Sequence, residues 1–218
     1  MSYAVKEMFL TLQGEGVHAG RRAVFCRFAG CNLWSGREVD RATAACTFCD
    51  TDFVGLDAEG GGRFADAAAL ADAVTLRWGE GAERRFVVLT GGEPMLQVDA
   101  PLIDALHARG FEIAIESNGT LPVPRSIDWI CISPKGANPV VQTSGDELKL
   151  VWPQAGVDPV AMEGWDFAHW LVQPRDDGVV GGGGSPDPLR NARECMALIN
   201  QRPRWRLSLQ THKLLGIA

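Results

Sequence analysis

Three cysteines are the residues whose type and spacing point most directly to chemistry. Cys46 and Cys49 form a C-x2-C pair, and Cys31 precedes Cys46 with fourteen residues between them. Three thiolates that meet around one site suit a [4Fe-4S] cluster in which one iron has no protein ligand. The trio therefore predicts a cluster with an open coordination position, which a small-molecule cofactor can occupy.

Zinc is the alternative occupant of a C-x2-C pair, and structural zinc sites usually take four ligands. Cys26 and His18 could supply the fourth ligand. Strand alternation explains Cys26 better as a core residue. We expect Cys131, which lies inside a strand, and Cys195, on the apolar face of a helix, to be core residues as well. Three ligand cysteines are then left, with no evident fourth.

Length and composition limit the class of protein. The chain has 218 residues, of which 46% are hydrophobic, and its formal net charge is -6. We expect one domain over residues 1–218 that carries an inserted loop at residues 32–45. No run of Lys and Arg is long enough to form a stripe, which argues against a nucleic-acid binder held by phosphate contacts.

The sequence also indicates a compartment. No run of about 18 apolar residues is present, so no transmembrane helix and no membrane partner are expected. The first residues lack the apolar core of a signal peptide, and we expect a cytoplasmic protein. In that compartment the six cysteines are not expected to form disulfides and are free to bind metal.

Segments typical of strands and helices alternate along the chain, which predicts an α/β fold with a mostly parallel sheet. The predicted strands are residues 22–29, 85–89, 112–116, 129–132, 148–152, 170–172 and 206–210, and the predicted helices are residues 64–78, 101–107 and 188–200. About six or seven parallel strands are too few for a closed eight-stranded barrel. We therefore predict a partial, open TIM-like barrel.

Short polar motifs stand where four of these strands end. They are TGGE at 90–93, ESN at 116–118, SPK at 133–135 and QPR at 173–175. Any one of them could be an ordinary turn. In parallel α/β folds, however, chemistry lies at the carboxyl ends of the strands, so together they predict one shared site.

The order of these motifs resembles that of the radical S-adenosylmethionine enzymes, which carry a three-cysteine loop and then a Gly-Gly-Glu-Pro, here at residues 91–94. More specific motifs resemble the 7-carboxy-7-deazaguanine synthases of that superfamily: TLQGEG at 11–16, CDT at 49–51, SPK at 133–135 and QTHK at 210–213. The usual loop is C-x3-C-x2-C, whereas this chain has C-x14-C-x2-C. Each doubling of loop length adds only about 0.6 kcal/mol of closure cost, so we expect the cluster to form.

The resemblance implies a carbon–nitrogen lyase that converts 6-carboxy-5,6,7,8-tetrahydropterin to 7-carboxy-7-deazaguanine, with loss of ammonia, in queuosine and 7-deazapurine biosynthesis. It implies a [4Fe-4S] cluster, S-adenosylmethionine and Mg²⁺ as cofactors. A homodimer and a flavodoxin or ferredoxin reductant are further expectations that it brings. No catalytic side chain is implied beyond the cluster and S-adenosylmethionine.

The resemblance also implies roles for individual residues. Cys31, Cys46 and Cys49 would bind the cluster, and Thr51 would contact Mg²⁺ unless it is a turn or N-cap residue. The residues implied for S-adenosylmethionine are Phe48, Cys49, Asp50, Gly92, Glu116, Ser117, Ser133, Pro134, Lys135, Gln173, Pro174, Arg175 and Asp176. The residues implied for the substrate are Leu12, Gln13, Gly14, Glu15, Arg27, Thr90, His212 and Ala218.

Arg27 carries an additional physical argument. It lies on the face opposite Cys26 in an otherwise apolar strand, where a charge is costly unless it is paired. The substrate carboxylate is the partner that the resemblance implies, through a bidentate contact. An internal ion pair with an Asp or Glu is the alternative.

Two other functions compete with the synthase. A glycyl-radical activating enzyme of the same superfamily would share the cluster and the Gly-Gly-Glu motif, but not residues 13–16 or the CDT motif. A zinc-binding structural or interaction protein would contain no iron. Metal content and a product assay separate the three.

Overall fold

One sheet organises the part of the chain that the structure, a computed structural model, describes: residues 2–177, 187 and 189–217. Its nine strands lie in the order β3-β1-β2-β4-β5-β6-β7-β8-β9. They are β1 Tyr3–Leu12, β2 Arg22–Phe28, β3 Gly62–Phe64, β4 Phe86–Gly91, β5 Glu112–Ser117, β6 Trp129–Ile132, β7 Ser144–Trp152, β8 Asp166–Pro174 and β9 Arg206–Leu207.

The direction of the strands confirms the predicted fold class. From β2 through β4 to β9, each strand runs parallel to the next, whereas β1 pairs antiparallel with both β2 and β3. The sheet does not close, since β3 and β9 stand at its opposite edges. The architecture is therefore an open, partial barrel of mostly parallel strands.

Five α-helices accompany the sheet in the described part of the chain: α1 Ala67–Trp78, α2 Ala100–His107, α3 Pro159–Met162, α4 Arg190–Gln201 and α5 Thr211–Leu215. Of these, α1, α2 and α4 pack against its strands. Asp66 and Asp99 cap the first two by accepting hydrogen bonds from backbone N–H groups of the first turn, at 2.9 and 3.1 Å. Ile113 and Ile115 of β5 are fully buried toward α2, whereas Glu116 lines a cavity on the other face.

The predicted elements are confirmed, with corrections at their ends. The helix predicted over 64–78 begins at Ala67, because Gly62–Phe64 pairs with β1 as a short edge strand. The strand predicted over 206–210 ends at Leu207, since the chain turns into α5. β1 was not predicted. Helix α4 is described from Arg190, and residue 188 lies outside the described residues.

The three cysteines expected in the core are buried there. Cys26 and Cys195 are 0% exposed and Cys131 is 3% exposed, and none of them forms a disulfide. Separately, no helix in the described ranges is both long enough and apolar enough to cross a membrane.

Helix α1 allows a matched test of the core. Leu70 is 0% exposed and Leu76 is 84% exposed on the same helix. Leu70→Ala is expected to lower the free energy of unfolding by about 2–5 kcal/mol, because it leaves a cavity in the core. Leu76→Ala is expected to change it by less than about 0.5 kcal/mol. Urea titration followed by circular dichroism measures both, and equal losses would contradict this packing.

Candidate functional site

A cavity of about 540 Å³ opens at the carboxyl ends of the parallel strands. This volume is typical of a small-molecule site. Its wall includes every described residue to which the sequence gave a role except Pro134, whose carbonyl instead accepts a hydrogen bond from Gln154 Nε2 at 3.1 Å. Ala218 lies outside the described residues. The four polar motifs thus meet at one site, as expected.

Cys31, Cys46 and Cys49 all border this cavity as free thiols. Burial raises the pKa of Cys31 and of Cys46, although the Lys135 ammonium opposes the shift at Cys46. Among the described residues, no three His, Cys, Asp or Glu side chains meet closely enough to hold a single metal ion. Three thiols that border one cavity are the ligand set of a [4Fe-4S] cluster in which each thiolate binds a different iron.

The fourteen residues between the first two cysteines fold back over the C-x2-C segment. They contain a 3-10 helix, Glu38–Thr43, from which Arg41 projects. The Arg41 guanidinium lies 4.0 Å from the centre of the Trp34 ring and donates to the carbonyls of Thr47 at 3.1 Å and Cys49 at 3.0 Å. The insertion therefore holds the backbone that carries two of the three cysteines.

Gly92 brings two backbone segments together beside Cys31. A Cβ atom on Gly92 would lie 2.1 Å from the carbonyl oxygen of Gly30 and 2.7 Å from Cβ of Cys31. The Gly30 carbonyl is part of the backbone and cannot move aside as the end of a flexible side chain could. Only glycine therefore fits at position 92. The end of β4 can then pass directly against the first cysteine.

Glu93 of the same motif points into the protein and not into the cavity. It is 0% exposed, and its carboxylate accepts hydrogen bonds from Ser117 Oγ and from the N–H of Asn118, both at 2.8 Å, and from the N–H of Met95 at 2.9 Å. Burial raises the pKa of Glu93, and these hydrogen bonds oppose the shift. The carboxylate ties the end of β4 to the end of β5.

A ring of polar side chains crosses the floor of the cavity. The Lys149 ammonium donates to Glu15 Oε2 at 2.7 Å and to Glu116 Oε2 at 2.9 Å. Gln13 Nε2 donates to Glu116 Oε1 at 2.9 Å, and Gln210 Nε2 donates to Glu15 Oε1 at 3.0 Å. Sequence reasoning missed Lys149, although a lysine inside the apolar strand LKLVW was a signal of a paired interior charge.

Burial and charge act in opposite directions within this ring. Burial alone raises the pKa of Glu15, but the Lys149 ammonium and the hydrogen bonds outweigh it and lower this pKa to about 2. For Lys149, burial lowers the pKa, and the Glu116 and Glu15 carboxylates outweigh it and hold the pKa well above its usual range. Glu15 and Lys149 are therefore expected to be charged at neutral pH.

Arg27 faces the cavity, on the side of β2 opposite the buried Cys26, as its position in the strand predicts. Its Nε donates to Glu7 Oε1 at 2.6 Å, so the internal ion pair that stood as the alternative is present. Thr90 is its register partner on β4 and borders the same cavity. Binding of a substrate carboxylate by Arg27 stays a prediction.

The C-terminal segment closes another side of the cavity. Lys213 of α5 bridges Asp50 at 2.8 Å and Asp176 at 2.7 Å, and sequence reasoning missed it. His212 packs so closely on Gly14 that a Cβ atom there would lie 2.2 Å from Nδ1. The residues predicted to meet the substrate near both ends of the chain therefore come together.

His18, a possible fourth zinc ligand, lies elsewhere. Its ring contacts those of Trp129 and Phe86, with centroids at 4.3 and 5.2 Å. Burial lowers the pKa of His18, and its buried Nε2 has no hydrogen-bond partner in the described part of the chain. It lines a separate small cavity of about 10 Å³. Neither His18 nor the core residue Cys26 borders the cavity that holds the three cysteines.

Comparison with known proteins supports the sequence motifs. The 7-carboxy-7-deazaguanine synthases of Bordetella pertussis and Bradyrhizobium diazoefficiens are 59% and 58% identical to this chain over 217 residues, with both chains fully covered. The crystal structure of QueE from Escherichia coli matches with a TM-score of 0.69 at 28% identity, covering 97% of this chain and 95% of that chain. A scan against family models gave no match.

Thiol reactivity distinguishes the cavity cysteines from the core cysteines. In native, metal-free, reduced protein we expect iodoacetamide to modify Cys31 and Cys49 well before Cys26, Cys131 and Cys195. Burial raises the pKa of Cys26 and of Cys195 to about 12 and that of Cys131 strongly, so few thiolates form at neutral pH. Peptide mass spectrometry over time measures the rates, with urea-unfolded protein as the control. Early labelling of a core cysteine would contradict this arrangement.

Proposed function

The chain belongs to the 7-carboxy-7-deazaguanine synthase family, and from that premise we propose that it converts 6-carboxy-5,6,7,8-tetrahydropterin to 7-carboxy-7-deazaguanine with loss of ammonia. One observation carries the proposal: a single cavity collects the three cysteines, the two glycines of the Gly-Gly-Glu motif and the polar ends of four parallel strands. The reaction would belong to the formation of queuosine or of related 7-deazapurines.

We assign the cluster to Cys31, Cys46 and Cys49. When bound, the cluster and S-adenosylmethionine supply the one-electron chemistry that starts the reaction. The protein keeps the ligand segment in place through Arg41, and Gly92 lets the backbone approach without a side chain. The remaining residues assigned to S-adenosylmethionine are Phe48, Asp50, Glu116, Ser117, Ser133, Pro134, Lys135, Gln173, Pro174, Arg175 and Asp176.

The substrate would lie against the polar ring. The pyrimidinone edge of a pterin has N–H donors and a carbonyl acceptor, which the Glu15 carboxylate and the Gln13 amide complement. Support comes from the fixed orientation of Glu15, whose two oxygens each accept a hydrogen bond. The other residues assigned to the substrate are Leu12, Gly14, Arg27, Thr90, His212 and Ala218.

We assign the partners by chemistry and family. A homodimer is supported by the exposed Leu214 and Leu215 of α5, which leave apolar surface uncovered. A flavodoxin or ferredoxin would supply the electron. The six free thiols agree with a reducing compartment, which is the cytoplasm.

The decisive experiment is a product assay on protein purified without air. We expect about four irons and four sulfides per chain, as a three-cysteine cluster site requires. Reductant, S-adenosylmethionine, Mg²⁺ and the carboxytetrahydropterin should then yield 7-carboxy-7-deazaguanine and ammonia, detected by mass spectrometry.

Cysteine variants provide the matched control. Cys31→Ala, Cys46→Ala and Cys49→Ala should each lose iron and activity, whereas Cys195→Ala, at a core cysteine, should retain both. Stoichiometric zinc in place of iron would remove the radical mechanism. An intact cluster with no deazapurine product would favour a glycyl-radical activating enzyme.

Thr51 provides a separate test of the Mg²⁺ assignment. Thr51→Ala removes a hydroxyl from the cavity wall and is expected to raise the Mg²⁺ concentration for half-maximal activity roughly tenfold, the lower range for loss of a metal-site contact. Iron content should not change. Thr43→Ala, at an exposed position of the insertion, is the control. Loss of iron in Thr51→Ala would assign Thr51 to the structure of the cluster loop.

A further inference from the structure

Lys149 is a buried cation to which neither the sequence motifs nor the family resemblance gave a role. It lies in β7 between Leu148 and Leu150, which are fully buried in the core, and its own side chain points to the opposite face. Only 4% of that side chain is exposed. A buried ammonium is unfavourable unless carboxylates neutralise it.

Its two partners belong to different parts of the candidate site. Glu15 follows the β1 strand and faces the proposed substrate position, and Glu116 ends β5 and faces the proposed S-adenosylmethionine position. The ammonium contacts both carboxylates at 2.7 and 2.9 Å. One side chain therefore connects the two ligand positions.

The side-chain amide of Gln13 also links Glu15 to Glu116 and fixes the geometry of this connection. Gln13 donates through Nε2 to Glu116 and accepts the N–H of Glu15 on its own Oε1 at 3.0 Å. Together with Lys149, these contacts form a closed ring of hydrogen bonds. Both oxygens of each carboxylate are engaged, so neither can rotate without breaking a buried hydrogen bond.

The neighbouring groups supply no other positive charge to this ring. On β6 the Cys131 thiol faces Lys149 and donates to Glu147 Oε1 at 3.5 Å, and Glu147 of β7 also accepts the N–H of Val17 at 3.0 Å. On β8, Gln173 hydrogen-bonds Glu15. The facing groups from each packed strand are therefore neutral or acidic, and Lys149 alone among these residues offsets the two carboxylates.

We propose that Lys149 is a positioning residue: it keeps the substrate-facing Glu15 charged and holds it at a fixed separation from the cofactor-facing Glu116, so that the pterin binds in one orientation. The inference rests on the proposed function, which puts the pyrimidinone edge against Glu15. A carboxylate accepts hydrogen bonds from N–H groups of that edge, whereas a protonated carboxyl group would present a competing donor.

The charge balance gives the sign of the expected pH effect. With Lys149 present, the pKa of Glu15 is about 2, so Glu15 stays charged from pH 5 to 7.5 and adds no pH dependence to pterin affinity. His212, which packs on the turn after β1 and is also assigned to the substrate, is present in every variant, so each variant is compared with the wild-type profile. Without the ammonium, burial still raises this pKa, and only the hydrogen bonds from Gln210 and Gln173 oppose the shift. A raised pKa means that Glu15 loses charge as the pH falls, so affinity should decrease by up to about tenfold per pH unit below it.

The test measures binding of oxidised 6-carboxypterin by anaerobic calorimetry to protein that carries the cluster and S-adenosylmethionine, without reductant. Lys149→Met should bind more weakly at pH 5.5 than at pH 7.5, with a slope steeper than that of the wild type. Lys149→Arg keeps the charge and should restore the wild-type profile. Arg77→Met, which removes an exposed ion pair with Glu59, is the matched control and should behave as the wild type.

Each outcome has a distinct meaning. If the wild type does not bind the pterin at all, the proposed function fails. If it binds and Lys149→Met shows wild-type affinity with the wild-type slope, the positioning role is overturned. Lys149→Gln keeps a polar group and takes the place of Lys149→Met if the latter does not fold. Even if neither folds, a wild-type affinity that falls between pH 7 and pH 5 and no longer falls in Glu15→Gln would overturn the inference.

Discussion

Charged groups that line the interior face of the sheet impose the main constraint on this structure, because each must be paired before it can be buried. The Lys149 ammonium requires carboxylate partners, and Glu15 and Glu116 supply them. The turn after β1 must therefore lie against β5 and β7. Gly16 shows how close that contact is: its φ is +70°, and a Cβ atom there would lie 2.3 Å from Glu147 Oε1. Pairing of charges thus determines where the turn after β1 can run.

The sequence predicts the parallel sheet well because apolar runs and turn residues are local signals. It also predicts which face of β2 carries Arg27, since alternation along a strand is a backbone property. β1 escaped prediction because Lys6 and Glu7 interrupt its apolar pattern. The roles of Lys149 and Lys213 were not predicted for another reason. Their partners lie up to 163 residues away, and no local pattern identifies a partner at such a distance. The function could be predicted because the motifs are short stretches of sequence. The hydrogen-bonded network that aligns them joins residues far apart in the sequence, so no motif encodes it.

The inserted loop shows the same difference between what the sequence predicts and what only tertiary contacts determine. Its entropic cost could be judged from length alone, and that cost is small. Its contribution to the site could not be judged from length, because that contribution depends on the hydrogen bonds from the Arg41 guanidinium to the carbonyls of Thr47 and Cys49. Lys6 holds the segment that follows, by donating to the carbonyl of Val54 at 2.7 Å. Two cations from separate elements thus hold a loop that has little regular structure of its own, and a long insertion need not loosen the cysteine geometry.

Glu93 of the Gly-Gly-Glu motif shows how a motif residue can support the site from outside the cavity. Glu93 is completely buried and accepts three hydrogen bonds, two of them from residues 117 and 118 at the end of β5. Gly92 meanwhile lets the end of β4 pass against Cys31. A substitution at Glu93 would therefore act on the relative position of two strand ends, one beside the cysteines and the other at Glu116. Since Glu116 also belongs to the Lys149 ring, the cysteine loop and the turn after β1 are connected through β4, β5 and β7, and the precision of the site depends on buried hydrogen bonds at strand ends.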